Sequence, residues 1–115
     1  MIIPDVELKK LVEQGYLPEG LNIGPSSVDL TLADSFSWPA PKQDQIVLGE
    51  AVHHEELKTS RYVLEPNHFV LASTAELIRV PVNMAAYVEG RSSIGRLGLQ
   101  IQNAGLIDAG FHGQI

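Results

Sequence analysis

The residues best suited to chemistry lie in one short block late in the chain, Glu89–Gly98, with the sequence EGRSSIGRLG. Two guanidinium groups, Arg91 and Arg96, flank the adjacent hydroxyls of Ser92 and Ser93. Arginine makes permanently charged, bidentate contacts to phosphate oxygens, and the glycines of such a turn let backbone N–H groups approach an anion. The block predicts an anion-binding turn; the alternative is an ordinary strand–turn–strand with a surface ion pair.

A second block, Asn103–Gly113, places Asp108 among glycines and apolar residues in a predicted hairpin. An aspartate at such a position either caps the turn or is a carboxylate placed to orient a sugar hydroxyl or to activate water. Phe111 either offers its ring face to a sugar or base, or is a core aromatic. The residues by themselves leave both alternatives open.

Other polar residues carry weaker signals. The run His53–Glu56 is contiguous, so it cannot present a metal cage from one face of one element, and a solvated turn is expected. His68 and His112 are assigned to loops, and Trp38 is expected to be a packing anchor. Asp29 either caps a turn or supports the site from behind, and the structural role is the favoured one.

Composition bounds the classes of function. The chain has 115 residues, 44% of them hydrophobic, which predicts one folded domain over residues 1–115. It has no cysteine, which excludes disulfides and cysteine-ligated zinc. A net charge of −6 argues against binding to a nucleic-acid backbone. No apolar run has the length of a membrane span and the N-terminus has no basic export signal, so a soluble cytoplasmic protein is expected.

The elements that must position these residues are mostly strands. Leu8, Leu11 and Val12 recur at helical spacing, with Asp5 as the expected N-cap and Gly15 as the expected stop. Beyond that helix the pattern predicts strands at Ser27–Leu32, Tyr62–Leu64, Phe69–Ala72, Leu77–Val80, Ala85–Val88 and Leu97–Ile101. This spacing is typical of an antiparallel sandwich or barrel. Residues 38–60 form a long excursion with no clear pattern.

The end of the sequence, Phe111–Ile115, predicts a turn followed by the opening of a strand. Two interpretations remain: a short final strand, or a chain that lacks its natural C-terminal half and leaves a strand edge open for pairing.

Several segments together resemble one known family. Gly90–Leu99, Ala104–Phe111 and Gly113–Ile115 closely resemble the dCTP deaminases of the trimeric dUTPase superfamily, and Gly24–Leu30 is similar to an early element of that family. The likeness covers nearly the whole chain except residues 38–60. It implies a mainly β subunit, a distorted jelly roll or β-barrel of the dUTPase type with one short N-terminal helix. It also implies a homotrimer whose active sites are shared between subunits.

The resemblance also implies roles for individual residues. The nucleotide contacts would come from Arg91, Ser92, Ser93, Ile94, Gly95 and Arg96 in the first block, and from Ala104, Gly105, Ile107, Asp108 and Phe111 in the second. Of these, Ser92 and Arg96 would also organise the attack on the base. Asp108 would contact the deoxyribose 3′-hydroxyl, and Phe111 would pack on the sugar.

The implied reaction is zinc-free hydrolytic deamination of dCTP to dUTP and ammonia, in pyrimidine deoxynucleotide biosynthesis. Magnesium would be carried by the substrate triphosphate and need not have a protein carboxylate as ligand. The segment Ala104–Asp108, AGLID, resembles the bifunctional subgroup that also cleaves dUTP to dUMP and pyrophosphate, with Gly105 and Leu106 marking that property and Asp108 as the candidate base. The sequence leaves open whether dTTP inhibits.

The sequence departs from the family in one respect. The general-base glutamate of these enzymes lies beyond the position of Ile115, so an enzyme represented by its N-terminal two thirds is the expectation. Two alternatives are a dUTPase-like diphosphatase that uses Asp108, and a catalytically inactive nucleotide-binding or regulatory homologue.

Overall fold

Strands predominate in the protein, whose computed structural model describes residues 1–40, 45–102 and 105–115. The strands are β1 Leu32–Pro39, β2 His54–Lys58, β3 Leu71–Thr74, β4 Ile78–Arg79, β5 Ala86–Tyr87, β6 Leu106–Ile107 and β7 His112–Gly113. The helices are α1 Asp5–Glu13 and α2 Ser92–Gly95. Neither described helix has the length and apolar character needed to cross a membrane. The residues group into two compact units.

Helix α1 begins one residue earlier than the sequence predicts. Pro4 occupies the N-cap position, and Asp5 is the first helical residue, where its carboxylate bonds the ammonium of Lys9 at 2.6 Å. The prediction of Asp5 as the N-cap is therefore wrong. Because Pro4 takes the N-cap position, Asp5 lies in the first turn, where its negative charge interacts favourably with the helix dipole. That ion pair, with a smaller Coulombic contribution from the same lysine, lowers the pKa of Asp5.

The predicted stop at Gly15 is confirmed. Gly15 has φ +76°, its N–H donates to the Val12 carbonyl at 3.0 Å, and the Tyr16 N–H donates to the Leu11 carbonyl at 2.9 Å. These two bonds form a Schellman motif, which needs a residue in the left-handed conformation that glycine adopts without strain.

The first unit comprises Met1–Asp29 and Leu77–Gly113. It contains two short antiparallel pairs, β4 with β7 and β5 with β6. Its buried apolar side chains come from the helix and the following loop and from the strands: Leu8, Leu11, Leu17, Ile78, Val80 and Ile107. Ile107 of this small core belongs to β6, which lies inside the second block of candidate residues.

The second unit comprises Leu30–Glu76 and Gln114–Ile115. Its sheet has the order β2-β1-β3, with both neighbours antiparallel to the central strand. Phe36 in β1 lies opposite Leu57 and Ala72, and its ring stacks on Tyr62 with centroids 4.8 Å apart. Aromatic burial on one face thus anchors this sheet.

The strand predictions are confirmed in part. Strands β3, β4 and β5 overlap the predictions for 69–72, 77–80 and 85–88. The strand predicted at 27–32 is wrong: Ile23 and Val28 form a single bridge in a loop that closes on itself, and β1 begins only at Leu32. The described structure also has no strand at 62–64 or 97–101, because Tyr62 caps the aromatic cluster and Gly98 turns the chain with φ +83°.

Residues 38–60, predicted as an excursion, contain strand β2. The prediction of a solvated turn at His53–Glu56 is wrong for its last three residues, because Glu55 pairs with Trp38 across β1 and β2 and accepts its indole N–H at 3.1 Å. Trp38 also lies 6.2 Å from Tyr62, in agreement with a packing role. His112 lies in β7, so its assignment to a loop is wrong. His68 ends the turn at 65–68, in agreement with its assignment to a loop. Residues 41–44 lie outside the described part of the chain.

The predicted fold class is confirmed: a mainly β chain with one short N-terminal helix, to which the structure adds the single turn α2. Within the described residues the strands form three separate sheets, none of which closes into a barrel. The end of the chain also follows its prediction of a turn and then a strand, since the Ile115 carbonyl accepts the Thr74 N–H at 2.7 Å beyond β7. The prediction of a single domain stays a prediction.

Within the second unit, the carboxylate of Glu76, which follows β3, binds Thr31, which precedes β1. Glu76 accepts the Thr31 hydroxyl at 2.7 Å and the Thr31 N–H at 3.0 Å. Partial burial by itself raises the pKa of Glu76. The hydrogen bonds from the side chain and backbone of Thr31 have a larger combined effect, so the net pKa lies below its usual 4.5. A lowered pKa in the folded state means that ionised Glu76 stabilises the fold above its unfolded pKa, and that this stabilisation disappears as the pH falls through the folded value.

We expect Glu76→Gln in the full-length protein to lower the free energy of unfolding at neutral pH by about 1 kcal/mol. The two carboxylate oxygens accept hydrogen bonds from Thr31, whereas the amide offers a single neutral acceptor oxygen. Thermal melts between pH 7 and pH 3 should show the difference from the wild type shrinking below pH 4.5. Glu65→Gln, at an exposed position of the same unit, is the matched control and should leave the melting temperature unchanged. A constant difference at every pH would contradict the role given to the charge.

Candidate functional site

The first candidate block folds as one tight helical turn. Arg91 precedes α2 in an extended conformation, with φ −65° and ψ 138°, and its carbonyl accepts the N–H groups of Ile94 and Gly95, both at 3.0 Å. Gly98, with φ +83°, ends the turn by donating its N–H to the Gly95 carbonyl at 3.0 Å. The sequence predicts the turn but not its helical geometry. The winding leaves the first N–H groups, those of the two serines, without partners inside the helix.

An open groove of about 290 Å³ runs beside this turn. One wall is formed by Gly90, Arg91, Ser92 and Gly95, and the other by Leu99, Gln100, Ile101 and Gln102. The second wall was missed by sequence reasoning, although the alternation of apolar residues with glutamines is visible in the sequence. Two glutamines, Gln100 and Gln102, therefore line the same groove as the cationic turn.

One of the two arginines is held in place. The Nη1 group of Arg91 donates to Oδ2 of Asp29 at 3.0 Å, and the same oxygen accepts Nδ2 of Asn22 at 2.6 Å. Asp29 therefore has both kinds of contact that the sequence left open: it closes its own loop through Asn22, and it contacts the candidate turn through Arg91. Asn22 was missed, and its sequence position gives no signal for this contact.

The rest of the block is open to solvent. Every residue from Glu89 to Gln102 is exposed, including Ser93, Ile94 and the apolar Leu97, whose exposed fraction is 82%. Within the described chain the guanidinium of Arg96 makes no ion pair and does not line the groove. The two arginines therefore differ: Arg91 is tethered and Arg96 is free to reach a ligand.

Gly90 is required by the close approach of the groove's two walls. A Cβ added to Gly90 would lie 3.0 Å from Cγ1 of Ile101 and 3.2 Å from its Cβ. Any side chain at this position would therefore push the 99–102 wall away from the turn. At Gly95, by contrast, an added Cβ would meet nothing within 4 Å.

The second block is anchored by strand pairing. Tyr87 pairs with Leu106, and Ala86 with Ile107, whose exposed fraction is only 8%. Gly105 has φ +77° and its carbonyl accepts the Val88 N–H at 2.9 Å. A bulkier residue at Gly105 would be strained in that conformation. Ala104, a predicted nucleotide contact, lies outside the described residues.

Asp108 and Phe111 are the ends of the tight turn between β6 and β7. The Phe111 N–H donates to the main-chain carbonyl of Asp108 at 3.2 Å, and Gly110 has φ +81°. The turn is therefore closed by the backbone, and the exposed Asp108 carboxylate makes no hydrogen bond to the described residues. Phe111 is half-buried, and its Cζ would lie 3.2 Å from a Cβ on Gly113, so its ring covers that glycine. Neither residue lines the groove beside α2.

In the described part of the chain, no three histidine or acidic side chains come together as a metal site. The chemistry available is thus that of a cationic turn with hydroxyls, two glutamines that line the same groove, and a separate exposed carboxylate. This set suits a ligand with a polyanionic part and a polar part that can accept and donate hydrogen bonds.

Comparison with known proteins identifies the family of the chain. The model of dCTP deaminase-like domains matches residues 2–115. The chain belongs to the dCTP deaminase-like family. The match includes both candidate blocks and confirms the resemblance seen in the sequence.

Among curated relatives, this dCTP deaminase-like chain is 40% identical over 124 residues to the "dCTP deaminase, dUMP-forming" of Persephonella marina, covering 100% of the chain and 69% of that protein. It is 39% identical over 125 residues to the protein of the same name from a Sulfurihydrogenibium species, with the same coverage. For the Hydrogenobaculum protein of that name the identity is 45%, over 99% of the chain and 63% of the relative. The chain spans about two thirds of the length of these relatives.

We expect Gly90→Ala and Gly95→Ala to separate clearly in thermal melts of the full-length protein. Gly95→Ala should keep or raise the melting temperature, since alanine favours helix and meets no neighbour. Gly90→Ala should lower the free energy of unfolding by about 1 kcal/mol, because the new methyl overlaps Ile101. Adding Ile101→Ala to Gly90→Ala should recover part of that loss. Equal behaviour of the two alanine variants would contradict the close packing of the walls.

Proposed function

We propose that the protein deaminates dCTP and converts the product to dUMP. In the first step water adds to cytosine C4 and ammonia leaves, giving dUTP. In the second step water attacks the α-phosphorus and pyrophosphate leaves. The observation that carries the proposal is that relatives named for this activity match the chain along its whole length, both blocks included, at 39–45% identity.

The turn at 91–96 binds the triphosphate in this proposal. Arg91 brings its tethered guanidinium to the groove. Arg96 adds a second guanidinium from the same turn, and Ser92 and Ser93 add hydroxyls and backbone N–H groups. Guanidinium donors match phosphate oxygens in geometry and stay charged at any physiological pH. In a chain of net charge −6 this local cationic site draws an anionic ligand over short range.

The second block binds the sugar and the base. The free carboxylate of Asp108 accepts the deoxyribose 3′-hydroxyl and is the candidate base for the second hydrolytic step. Phe111, half-buried at the other end of the same turn, packs on the sugar. The backbone of the hairpin through Gly105 and Ile107 reads the pyrimidine edge. Ser92 and Arg96 organise the attack on C4.

The active unit of this proposal is a homotrimer with shared sites, each subunit a jelly roll of the dUTPase type. Its support is the exposure of the whole segment 89–102, which includes the apolar Ile94, Leu97 and Ile101. Contiguous apolar exposure next to a binding site marks a surface that a partner covers. In this proposal magnesium is carried by the triphosphate. The proposed location of the protein is the cytoplasm. dTTP, as a related triphosphate, is a candidate inhibitor at the same turn.

Incubation of the full-length protein with magnesium and dCTP tests the activity directly. We expect ammonia, pyrophosphate and dUMP in equal amounts. Pyrophosphate from dUTP without ammonia from dCTP would indicate a diphosphatase instead. Calorimetric binding of dCTP without any product would indicate a regulatory homologue.

Arg96→Ala should reduce ammonia release from dCTP by about 100-fold or more, because a guanidinium placed at developing charge is lost. Arg61→Ala, which removes an exposed arginine in the other unit, is the matched control and should leave the rate unchanged. Turnover by Arg96→Ala within twofold of the wild type would contradict its role.

Asp108→Asn should separate the two steps. The amide still accepts a hydrogen bond from the 3′-hydroxyl but cannot take a proton from water, so pyrophosphate release should stop while slower ammonia release continues. The product should then be dUTP, which chromatography distinguishes from dUMP. Continued formation of dUMP would show that another residue acts as the base.

A further inference from the structure

We propose that Asp29 is a positioning residue that fixes the Arg91 guanidinium for the substrate triphosphate, with Asn22 holding Asp29. The proposal rests on the proposed function and adds a residue pair that lies far from both candidate blocks in the sequence. Arg91 and Asp29 are 62 residues apart, and their contact is the 3.0 Å hydrogen bond from Nη1 to Oδ2.

Asp29 is itself held by a small closed loop. Its N–H donates to the Asn22 carbonyl at 3.0 Å, and inside that pair Ile23 bridges Val28. The tip is closed by the Gly24 N–H, which donates to the Ser27 carbonyl at 2.8 Å. Asn22 then bonds the Asp29 carboxylate with its side chain as well, at 2.6 Å. Backbone and side-chain bonds to the same residue leave the Asp29 carboxylate little freedom.

The contact orients Arg91 without consuming it. An arginine has five N–H donors, and the bond to Asp29 engages one of them. The Arg91 side chain remains 66% exposed, whereas that of Asp29 is 30% exposed. The remaining donors are therefore available to the groove that Arg91 lines. Arg96, with no ion pair among the described residues, shows what an arginine of this turn is like without such a tether.

An exposed ion pair of this kind adds little to stability, so its main consequence is for binding. A free arginine loses rotamer freedom when it engages a ligand, and a side chain already fixed in its bound direction loses less. The gain is the same for the ground state and the transition state, because the triphosphate does not react at the deamination step. Loss of the tether should accordingly appear in KM and not in kcat.

The experiment is steady-state deamination of dCTP by the full-length protein carrying Asp29→Asn, which keeps the size of the side chain and removes its charge. We expect KM to rise about fivefold, with kcat within about twofold of the wild type and an unchanged melting temperature. Asp34→Asn, which removes a carboxylate from the exposed pair with Lys58 in the other unit, is the matched control and should leave KM unchanged.

A double-mutant cycle with Arg91→Ala separates positioning from any independent effect of Asp29. If Asp29 acts through Arg91, Asp29→Asn should have no further effect on KM once Arg91 is alanine. The same fivefold rise in both backgrounds, or an unchanged KM in Asp29→Asn where Arg91→Ala raises it, would overturn the proposal. If the wild type releases no ammonia, the proposed function fails; the same cycle is then read from the calorimetric Kd of magnesium–dCTP, which tests the tether separately.

Discussion

A single carboxylate oxygen, Oδ2 of Asp29, joins two parts of the chain that are far apart in sequence. It accepts one hydrogen bond from Asn22, in its own loop, and one from Arg91, at the start of the candidate turn. The loop is closed by its own backbone bonds, and the Asn22 side chain holds this oxygen from within the loop. The direction of the guanidinium, and with it one wall of the groove, follows from the position of this oxygen.

Stability and function place different demands on the same surface. Among the described residues no side chain is completely buried, and the core of the first unit consists of a few leucines, isoleucines and a valine. The segment 89–102, in contrast, is exposed throughout. Two features nevertheless shape it locally: Gly90, which lets Ile101 approach, and the helical winding that begins at Ser92. A segment that contributes so little to the core is suited to contacts with a ligand or with neighbouring subunits.

Much of this could be predicted from particular residues. Helix α1 and its stop at Gly15 follow from local chemistry, since the Schellman motif needs only neighbours in the chain and one residue with positive φ. The strands around residues 71–87 follow from β-rich runs. The prediction at 27–32 was wrong because alternation of residues does not reveal that Val28 is already paired with Ile23. Strand β2 was missed because its side chains are all exposed and only Leu57 among its five residues is apolar, so its sequence carries no apolar period.

The sequence by itself determined the mainly β class, the family, and the two blocks of residues that carry the chemistry, because motif letters and local turn propensities are properties of neighbouring residues. Tertiary structure alone decided that Asp29 and Asn22 contact Arg91, and that Gln100 and Gln102 line the same groove as the turn. It also distinguished Arg91, which is tethered, from Arg96, which makes no ion pair to the described residues. Contacts between residues 62 positions apart depend on how the loop at 22–29 closes, and no local pattern encodes that distance.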